Sequence, residues 1–576
     1  MAEPDGKTLV CVPIAVETID RALDDARLAE AKSADLVEFR IDGFFSGGDD
    51  GTEGVYELAQ LRRLLDESPL PVILTCRPVW EGGEYDGEDA ARVALFEKLC
   101  ADGGNRAPAY LDVELAAYTR SANLRQKVNL CVTHPKQVRD VTTRLILSMH
   151  DFEGRPADLD RNLLRAIDEP ACAVVKVAYR ARSLRDNLEL FEIIARTPKP
   201  TIALGMGEFG LMSRVLAPKF GGFLTFASLR ESSATAPGQP TVDELLGMYR
   251  FRSIGRQTRV YGVIGWPVGH SRGPLIHNAG FAEVGWDGVY LPLPVAADGS
   301  DPDVSQLSFE ATLGSLMNHE GLDLVGASIT IPHKRHAAAA QVAGTGRQIA
   351  DEAVSCLGAA NTMLRTDADV EGVNQSILWR SNTDAAAIDE LMLRALLDLG
   401  GSRIIDGEHH LNDRAIAVVG AGGAARAAAY AAMVRGAEVT IYNRTFERAD
   451  EIASDLMAAP MTVLAPRPAM IGAAPLERLG LSLCDLYINC TPVGMEGGPD
   501  PEGLSIPIPE MTLDPARTVF FDTVYTPAET PMLREARARG FRTIDGVEMF
   551  VRQAALQFEL WTGEPAPAGL FERLMA

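Results

Sequence analysis

The stretch A-I-A-V-V-G-A-G-G-A-A-R, residues 415–426, is an apolar, strand-like run that breaks abruptly into glycines and then into an alanine-rich helix. Gly420 can make the tight turn, Gly422 lets a pyrophosphate approach the backbone, and Ala425 stands where a small residue lets helix and strand pack closely. The helix that follows aims its N-terminal amides at the phosphates. A dinucleotide fold places an acid about 20 residues further on, at the end of the next strand, to read the ribose hydroxyls. Here E-V-T-I-Y ends at Asn443, and Asn443-Arg444-Thr445 followed by Arg448 offers donors and positive charge instead. That set attracts a 2′-phosphate and leaves a free 2′-hydroxyl without its acceptor. The stretch therefore predicts a Rossmann lobe for NADP(H), not NAD. The bland reading is a glycine-rich turn in an α/β domain that binds no nucleotide.

Around this lobe lies a chain of 576 residues, long enough for three to four domain-sized units. Hydrophobic residues make up 47% and charged ones 23%, the balance of a globular protein. A net charge of −24 argues against nucleic-acid and anionic-membrane partners, so anionic ligands must be met by local arginines and lysines. The eight cysteines are scattered without a Cys-x-x-Cys pair, which fits reduced thiols in a cytoplasmic setting and argues against a zinc site. The nine histidines show no metal-ligand spacing, and His409-His410 reads as a solvated pair in a polar loop. No metal is expected. The N-terminus has neither signal-peptide nor transit-peptide character.

In the N-terminal half, short β-branched runs recur at Thr8, Leu36, Pro71, Ala109, Arg144, Ala173, Thr201 and Phe223. Amphipathic helical segments such as Thr18 to Ala31, Val55 to Asp66 and Leu184 to Ala195 lie between them. Eight βα units in about 240 residues predict a (β/α)₈ barrel, whose function sits at the carboxyl ends of the strands. Those ends carry Glu38 and Arg40, Arg77 with Glu81 just beyond, Glu114, and His150. Lys176 lies inside strand six between V-V and V-A, where a cation is costly to bury. A lysine whose charge is penalised is a good amine nucleophile toward a ketone. The plainer reading is an edge or snorkelling lysine, but His150 on the adjacent strand supplies a proton carrier within reach.

E-F-R-I-D at 38–42, C-R-P with E-G-G at 76–83, S-M-H-D-F at 148–152, V-K-V-A at 175–178, S-R at 213–214 and A-P-G-Q at 236–239 together resemble type I 3-dehydroquinate dehydratase, from residue 7 to about 250. The resemblance implies that Lys176 forms an imine with the substrate ketone. His150 would remove the α-proton and return it to the departing hydroxyl, while Glu81 orients and tunes His150. Glu38, Arg40, Arg77, Arg214 and Gln239 would hold the carboxylate and hydroxyls. Thr235 stands where the family commonly has a serine and keeps the hydroxyl.

After a polar linker at 251–258, the strand Val260 to Ile264 opens G-W-P-V-G-H-S-R-G-P-L-I-H-N, a turn that exposes backbone and hydroxyl donors. Further on come L-V-G-A-S-I-T-I-P-H-K ending at Lys334, A-A-N-T at 359–362, S-N-T-D ending at Asp384, I-N-C-T-P-V-G-M at 488–495, D-T-V-Y-T-P at 522–527 and G-V-E-M-F-V-R-Q at 546–553. With the dinucleotide turn, these resemble shikimate dehydrogenase, from about Val260 to the end. The resemblance implies a catalytic pair, Lys334 and Asp384, and substrate ligands Ser271, Thr330, Asn361, Tyr525 and Gln553. NADP(H) would be held by Gly420, Gly422, Gly423, Asn443, Arg444, Thr445 and Arg448, with Val524 and Met549 near the nicotinamide. Two residues depart from the family pattern: Gly273 replaces a usual serine, and Ser328 replaces a usual asparagine.

The expected architecture is a barrel over 1–250, a linker over 251–258, a substrate lobe over 259–384 completed by 546–576, and a Rossmann lobe over 385–545. The two resemblances imply a fused enzyme that dehydrates 3-dehydroquinate to 3-dehydroshikimate and reduces that product to shikimate with NADPH. An alternative runs the second half as a quinate, or a dual quinate/shikimate, dehydrogenase, because glycine at 273 leaves room for the extra hydroxyl of quinate. A ligand-sensing regulator with degraded active sites is the reading from another class. Against it, Lys176, His150, Lys334 and Asp384 are all present and no basic DNA-binding patch is visible.

Overall fold

A computed structural model describes residues 7–45, 53–101, 107–132, 142–230, 238–299, 301–370, 373–399, 403–405, 408–459, 470–508 and 511–576. The eight apolar runs become parallel strands: β1 Leu9–Ala15, β2 Leu36–Arg40, β3 Val72–Thr75, β4 Tyr110–Glu114, β5 Arg144–Asp151, β6 Cys172–Arg180, β7 Thr201–Met206 and β8 Leu224–Phe226. They pair in the order β7-β6-β5-β4-β3-β2-β1-β8. Across the remaining seam the Phe223 N–H donates to the Thr201 carbonyl at 2.8 Å, so the barrel is nearly closed.

Strand periodicity explains where the polar groups sit. Side chains two apart face the same way, and the interior set begins apolar at the amino ends, with Leu36, Tyr110, Ile146 and Val174 in one buried cluster. Two residues further along the same faces stand Glu38, Asp112, Ser148 and Lys176, all buried. The opposite faces, including Val37, Phe39, Val113 and Val175, pack against the surrounding helices. The helices form where amphipathic spacing predicts them, at Ile19–Ala31, Glu53–Glu67 and Asp186–Arg196. The last starts later than expected because the Asp186 carboxylate first closes a turn, accepting the Arg182 and Ser183 N–H groups.

The segment at 251–258 is fastened to its surroundings. Phe251 and Ile254 are buried, and the Lys219 ammonium donates to the carbonyls of Arg256 and Thr258 at 2.9 and 2.7 Å. Beyond it come β9 Arg259–Gly265, β10 Gly288–Pro294, β11 Leu324–Ile329, β12 Arg347–Ala350, β13 Thr362–Val370 and β14 Val373–Ser381, ordered β10-β9-β11-β13-β14-β12. The closing helix, Gly546–Thr562, lays Val551, Ala554, Phe558 and Trp561 onto this sheet's Tyr261, Val263 and Tyr290. Trp561 Nε1 donates to the Met363 carbonyl at 3.0 Å. The chain end thus returns to complete the first lobe of the C-terminal half.

A two-stranded hairpin, β15 Arg403–Ile405 and β16 Glu408–His410, precedes the nucleotide sheet. The expectation of a solvated His409-His410 pair is corrected here, since the hairpin buries His410. The last sheet consists of β17 Ala415–Val419, β18 Glu438–Asn443, β19 Met470–Pro475, β20 Leu486–Asn489, β21 Val519–Asp522 and β22 Arg542–Ile544. It is parallel throughout, in the order β19-β18-β17-β20-β21-β22. At its switch point Gly420 has φ +119° and a β-carbon there would sit 2.9 Å from the Cys490 carbonyl oxygen, so only glycine fits. Among the described residues no helix is long and apolar enough to cross a membrane.

Candidate active sites

The carboxyl end of the barrel opens on a cavity lined by Glu38, Arg40, Arg77, Glu81, His150, Lys176, Arg214 and Gln239. Thr235 lies outside the described residues. Lys176 Nζ donates to Asp112 Oδ2 at 2.7 Å, lies 3.5 Å from Glu38 Oε1, and stands 4.8 Å from the centre of the Phe226 ring. The lysine is therefore not isolated among valines, as its sequence neighbours suggest: two carboxylates compensate its charge. Burial alone would raise the Asp112 carboxyl, but the Arg77 and Lys176 cations outweigh it and hold Asp112 well below the usual range.

His150 Nδ1 lies 2.9 Å from Glu81 Oε2. Burial, reinforced by the Arg77 and Lys176 cations, holds the His150 imidazole well below its ordinary value, so it is neutral at pH 7. Burial pushes the Glu81 carboxyl up to about 8 against the pull of Arg77. A neutral imidazole beside a buried amine is a base and a nucleophile in one enclosure.

The arginines divide by partner. Arg77 donates to Glu114, Ser148 and Asp112 at 2.6, 2.8 and 2.9 Å, and so acts as the counter-ion of the acidic floor. Arg40 makes a two-pronged pair with Asp42, both contacts 2.8 Å. Arg214 is different: it is buried, its Nε has no hydrogen-bond partner, and no carboxylate pairs with it among the described residues. Burial pulls its guanidinium down to about 10. A buried cation without an anion is costly, and a ligand carboxylate would relieve that cost. Asp112 was missed in the sequence, although it lies two residues before Glu114 and so shares its barrel-facing side.

The second site is a cavity of about 330 Å³ between the closing helix and the ends of β9 and β11. Ser271, Gly273, Thr330, Lys334, Asn361, Asp384, Tyr525, Met549 and Gln553 all line it. Lys334 Nζ donates to Asp384 Oδ2 at 2.5 Å. Each partner is fixed by backbone: the Lys334 carbonyl accepts from Ala360 N–H at 2.8 Å, and Asp384 stands in the first turn of the helix Thr383–Asp398, capped by Asn382. Asn361 Oδ1 accepts from Thr383 N–H at 2.7 Å, which ties that residue to the placement of Asp384. Gly546 lets the loop carrying Val524 and Tyr525 close on the helix, since a β-carbon there would fall 2.2 Å from the Val524 carbonyl oxygen.

Gly273 does not leave the room expected of it. A β-carbon there would lie 3.0 Å from Tyr290 Cε1 and 3.1 Å from the Tyr290 hydroxyl, so the phenol already occupies the space. The room at Gly273 on which the quinate reading was argued is therefore taken by the Tyr290 phenol. Tyr290, His277 and Gln557 also line this cavity, and none stood out in the sequence; only Gln557, one helical turn after Gln553, carried a signal.

In the nucleotide lobe, a β-carbon at Gly422 or Gly423 would meet nothing within 4 Å, so the backbone entering the helix Gly423–Val434 is open to a ligand. Ala425 is fully buried against the sheet. Arg444, just past β18, and Arg448, in the first turn of the helix Phe446–Ala458, are exposed and have no ion-pair partner among the described residues, and Asn443 Nδ2 donates to the Thr445 carbonyl at 2.8 Å. Bare amides at a helix start with free guanidinium groups nearby fit a phosphorylated dinucleotide.

Comparison with known proteins agrees with this geometry. Residues 10–256 match the family model for type I 3-dehydroquinase. Residues 263–363 match the shikimate dehydrogenase substrate binding domain, 402–467 match shikimate / quinate 5-dehydrogenase, and 546–575 match the shikimate 5'-dehydrogenase C-terminal domain. The chain is 36% identical over 575 residues to the chloroplastic bifunctional 3-dehydroquinate dehydratase/shikimate dehydrogenase of Arabidopsis thaliana, covering 99% of this chain and 84% of that one. It is 30% identical over 567 residues to the pentafunctional AROM polypeptide of Eremothecium gossypii, covering 94% of this chain and 31% of that one. Over 317 residues it is 35% identical to the shikimate dehydrogenase (NADP(+)) of Methanocella arvoryzae, covering 54% of this chain and 97% of that one. With 36% identity to the Arabidopsis bifunctional enzyme along nearly its whole length, and with both family models matched in the same order, the chain belongs to the bifunctional 3-dehydroquinate dehydratase/shikimate dehydrogenase family.

Proposed function

We propose that the two cavities catalyse consecutive reactions with the residues named above. In the barrel, Lys176 passes a proton from its ammonium to the neutral His150 and adds to the ketone of 3-dehydroquinate; the carbinolamine hydroxyl then leaves as water with that proton, giving a protonated imine and restoring His150. His150 takes the α-proton, the imine accepts the electron pair, and the β-hydroxyl departs with the proton that His150 returns. Hydrolysis frees Lys176 and 3-dehydroshikimate. Arg214 holds the substrate carboxylate, Glu38, Arg40 and Gln239 meet the hydroxyls, and Thr235 is assigned with them. The observation that carries this reading is the single enclosure holding Lys176, His150 and the unpaired Arg214.

In the second cavity, Lys334, paired with Asp384, stabilises the developing alkoxide of 3-dehydroshikimate and supplies its proton. Bound NADPH supplies a hydride to the ring ketone. Ser271, Thr330, Asn361, Tyr525 and Gln553 orient the substrate, and Val524 and Met549 border the nicotinamide. Gly420, Gly422 and Gly423 give the pyrophosphate its approach, and Asn443, Arg444, Thr445 and Arg448 receive the 2′-phosphate. We assign the domains at the boundaries read from the sequence, with the barrel at 1–250, 546–576 completing the lobe at 259–384, and the NADP lobe at 385–545. The chain's acidic balance and its eight cysteines, none of them in a disulfide, fit a cytoplasmic setting. Incubation with 3-dehydroquinate and NADPH tests the whole reading: an enone absorbance should rise and then fall as NADPH is consumed, and failure of either phase removes the corresponding half.

Two further outcomes are expected. Arg444→Ala should weaken NADPH by on the order of 10- to 150-fold, the worth of a charge-assisted hydrogen bond of about 1.5 to 3 kcal/mol. NADH should hardly change, and equal loss for both cofactors would remove Arg444 from the 2′-phosphate site.

The other concerns pH. Only ionised Glu81 leaves the Nδ1–H of His150 in place and frees Nε2 to act as base. Because Glu81 ionises as pH rises through about 8, dehydratase kcat/KM should climb to that pH. Glu81→Gln still accepts from Nδ1–H but neither titrates nor stabilises the imidazolium. The limb should vanish, with kcat down about 10- to 100-fold; an unchanged limb would assign the titration to another group.

A further inference from the structure

The two departures from the shikimate dehydrogenase pattern, Gly273 and Ser328, meet at one side chain. The Tyr290 hydroxyl lies 3.1 Å from where a β-carbon at Gly273 would be, and Ser271 Oγ lies 3.3 Å from the same point. The phenol thus fills the place of the missing serine side chain. Its hydroxyl lies 2.7 Å from Ser328 Oγ, and Ser328 Oγ lies 2.7 Å from Gln557 Oε1. The direction of this relay is fixed at its far end. Gln557 Nε2 faces the Asn361 carbonyl at 3.3 Å, and a carbonyl can only accept. Gln557 Oε1 therefore accepts from Ser328, and Ser328 accepts from Tyr290.

Tyr290 is also held in place. Asn278 brackets its backbone, accepting from its N–H at 2.8 Å and donating to its carbonyl at 2.9 Å. The His277 ring stacks on the phenol at 4.5 Å. Only the hydroxyl proton is free to turn. Ser271 Oγ accepts from Gly273 N–H at 3.2 Å, so its own proton is free to donate. Among the described residues, Lys334 is the one ammonium or guanidinium group lining this cavity, and Asp384 already pairs with it. A carboxylate bound at the Ser271 end therefore finds no unpaired ammonium or guanidinium group among the described residues, and the donors on that wall are hydroxyls and the exposed His270.

We propose that Tyr290 is a specificity-determining residue of the reductase: its hydroxyl, beside that of Ser271, donates to the substrate carboxylate in place of the serine absent at 273. The proposal rests on the resemblance to shikimate dehydrogenase, which implies that Ser271 and the serine usual at 273 meet the substrate carboxylate, and so on the proposed function of this cavity. On binding, the phenol proton turns from Ser328 to the carboxylate, exchanging a neutral acceptor for a charged one and gaining the stronger bond. Ser328 keeps its bond to Gln557.

Tyr290→Phe keeps the ring and its packing and removes only the donor. The shikimate KM should rise on the order of 10- to 150-fold with kcat changed by less than about threefold and the NADPH Kd unchanged. The cyclohexene triol that lacks the carboxylate should bind both proteins alike. Gly273→Ser in the native background should give no gain, because the phenol is in the way. In the Tyr290→Phe background it should recover about tenfold or more, since the serine hydroxyl can enter the vacated space. An unchanged shikimate KM in Tyr290→Phe, or equal losses for shikimate and the triol, overturns the proposal. Ser271→Ala separates the two levels: if it raises the shikimate KM while Tyr290→Phe does not, only the role of Tyr290 fails. If neither does, the placement of the carboxylate fails with it.

Discussion

Lys176→Ala should abolish dehydration of 3-dehydroquinate, with a loss on the order of 10⁴-fold or more, because among the described residues Lys176 is the one lysine lining the cavity and so the group that forms the imine serving as electron sink. The protein should still fold. Asp112, which loses its ammonium partner, keeps Arg77 at 2.9 Å and Ser148 at 2.6 Å. NADP-dependent oxidation of shikimate should be unchanged, since the second cavity shares no residue with the first. Borohydride added to the native enzyme with 3-dehydroquinate should leave a stable adduct on the peptide that contains Lys176. An adduct on another lysine, or unimpaired dehydration in Lys176→Ala, would sink the assignment. Asp112→Asn is a useful companion. It preserves shape but removes the carboxylate nearest the amine, so it should slow imine formation without preventing it.

The barrel was legible because its strands are short apolar runs separated by helical spacing, and each run begins its strand within one residue of where it begins in the sequence. Lys176 was also legible, but its environment was not. The residues beside it in sequence are valines, which point to the helices, while its spatial neighbours come from other strands. Asp112 could have been found by counting back two from Glu114. Tyr290 could not. The run Gly288–Pro294 is buried at every position, so no alternation marks which side chains border a cavity and which face the core. The misreading of Gly273 has the same origin: absence of a side chain signals room only if nothing else has moved in, and what moved in is 17 residues away in sequence. His410 was misjudged because polar neighbours imply a loop, whereas a hairpin can bury one of two adjacent histidines and leave its neighbour half-buried.

The largest effect expected in the second half comes from Lys334→Ala. With NADPH saturating, reduction of 3-dehydroshikimate should fall about 10²- to 10⁴-fold in kcat, the usual worth of a positioned proton donor. The NADPH Kd should not move, because Arg444, Arg448 and the glycine turn lie in the other lobe. Asp384→Ala should cost nearly as much, since it leaves the Lys334 ammonium without its partner. Lys334→Ala with Asp384→Ala should then lose little more than the worse single change, because two groups that act as one unit do not contribute additively. A purely structural pair behaves differently: either change would lower thermal stability and both half-reactions would suffer through unfolding. The fused chain offers an internal control for that outcome. In Lys334→Ala the barrel should run at its native rate, so 3-dehydroquinate should be converted to an enone that persists instead of being consumed. Loss of the enone phase as well would mean that the substitution damages the protein at large, and Lys334 would then have to be reassigned from chemistry to folding.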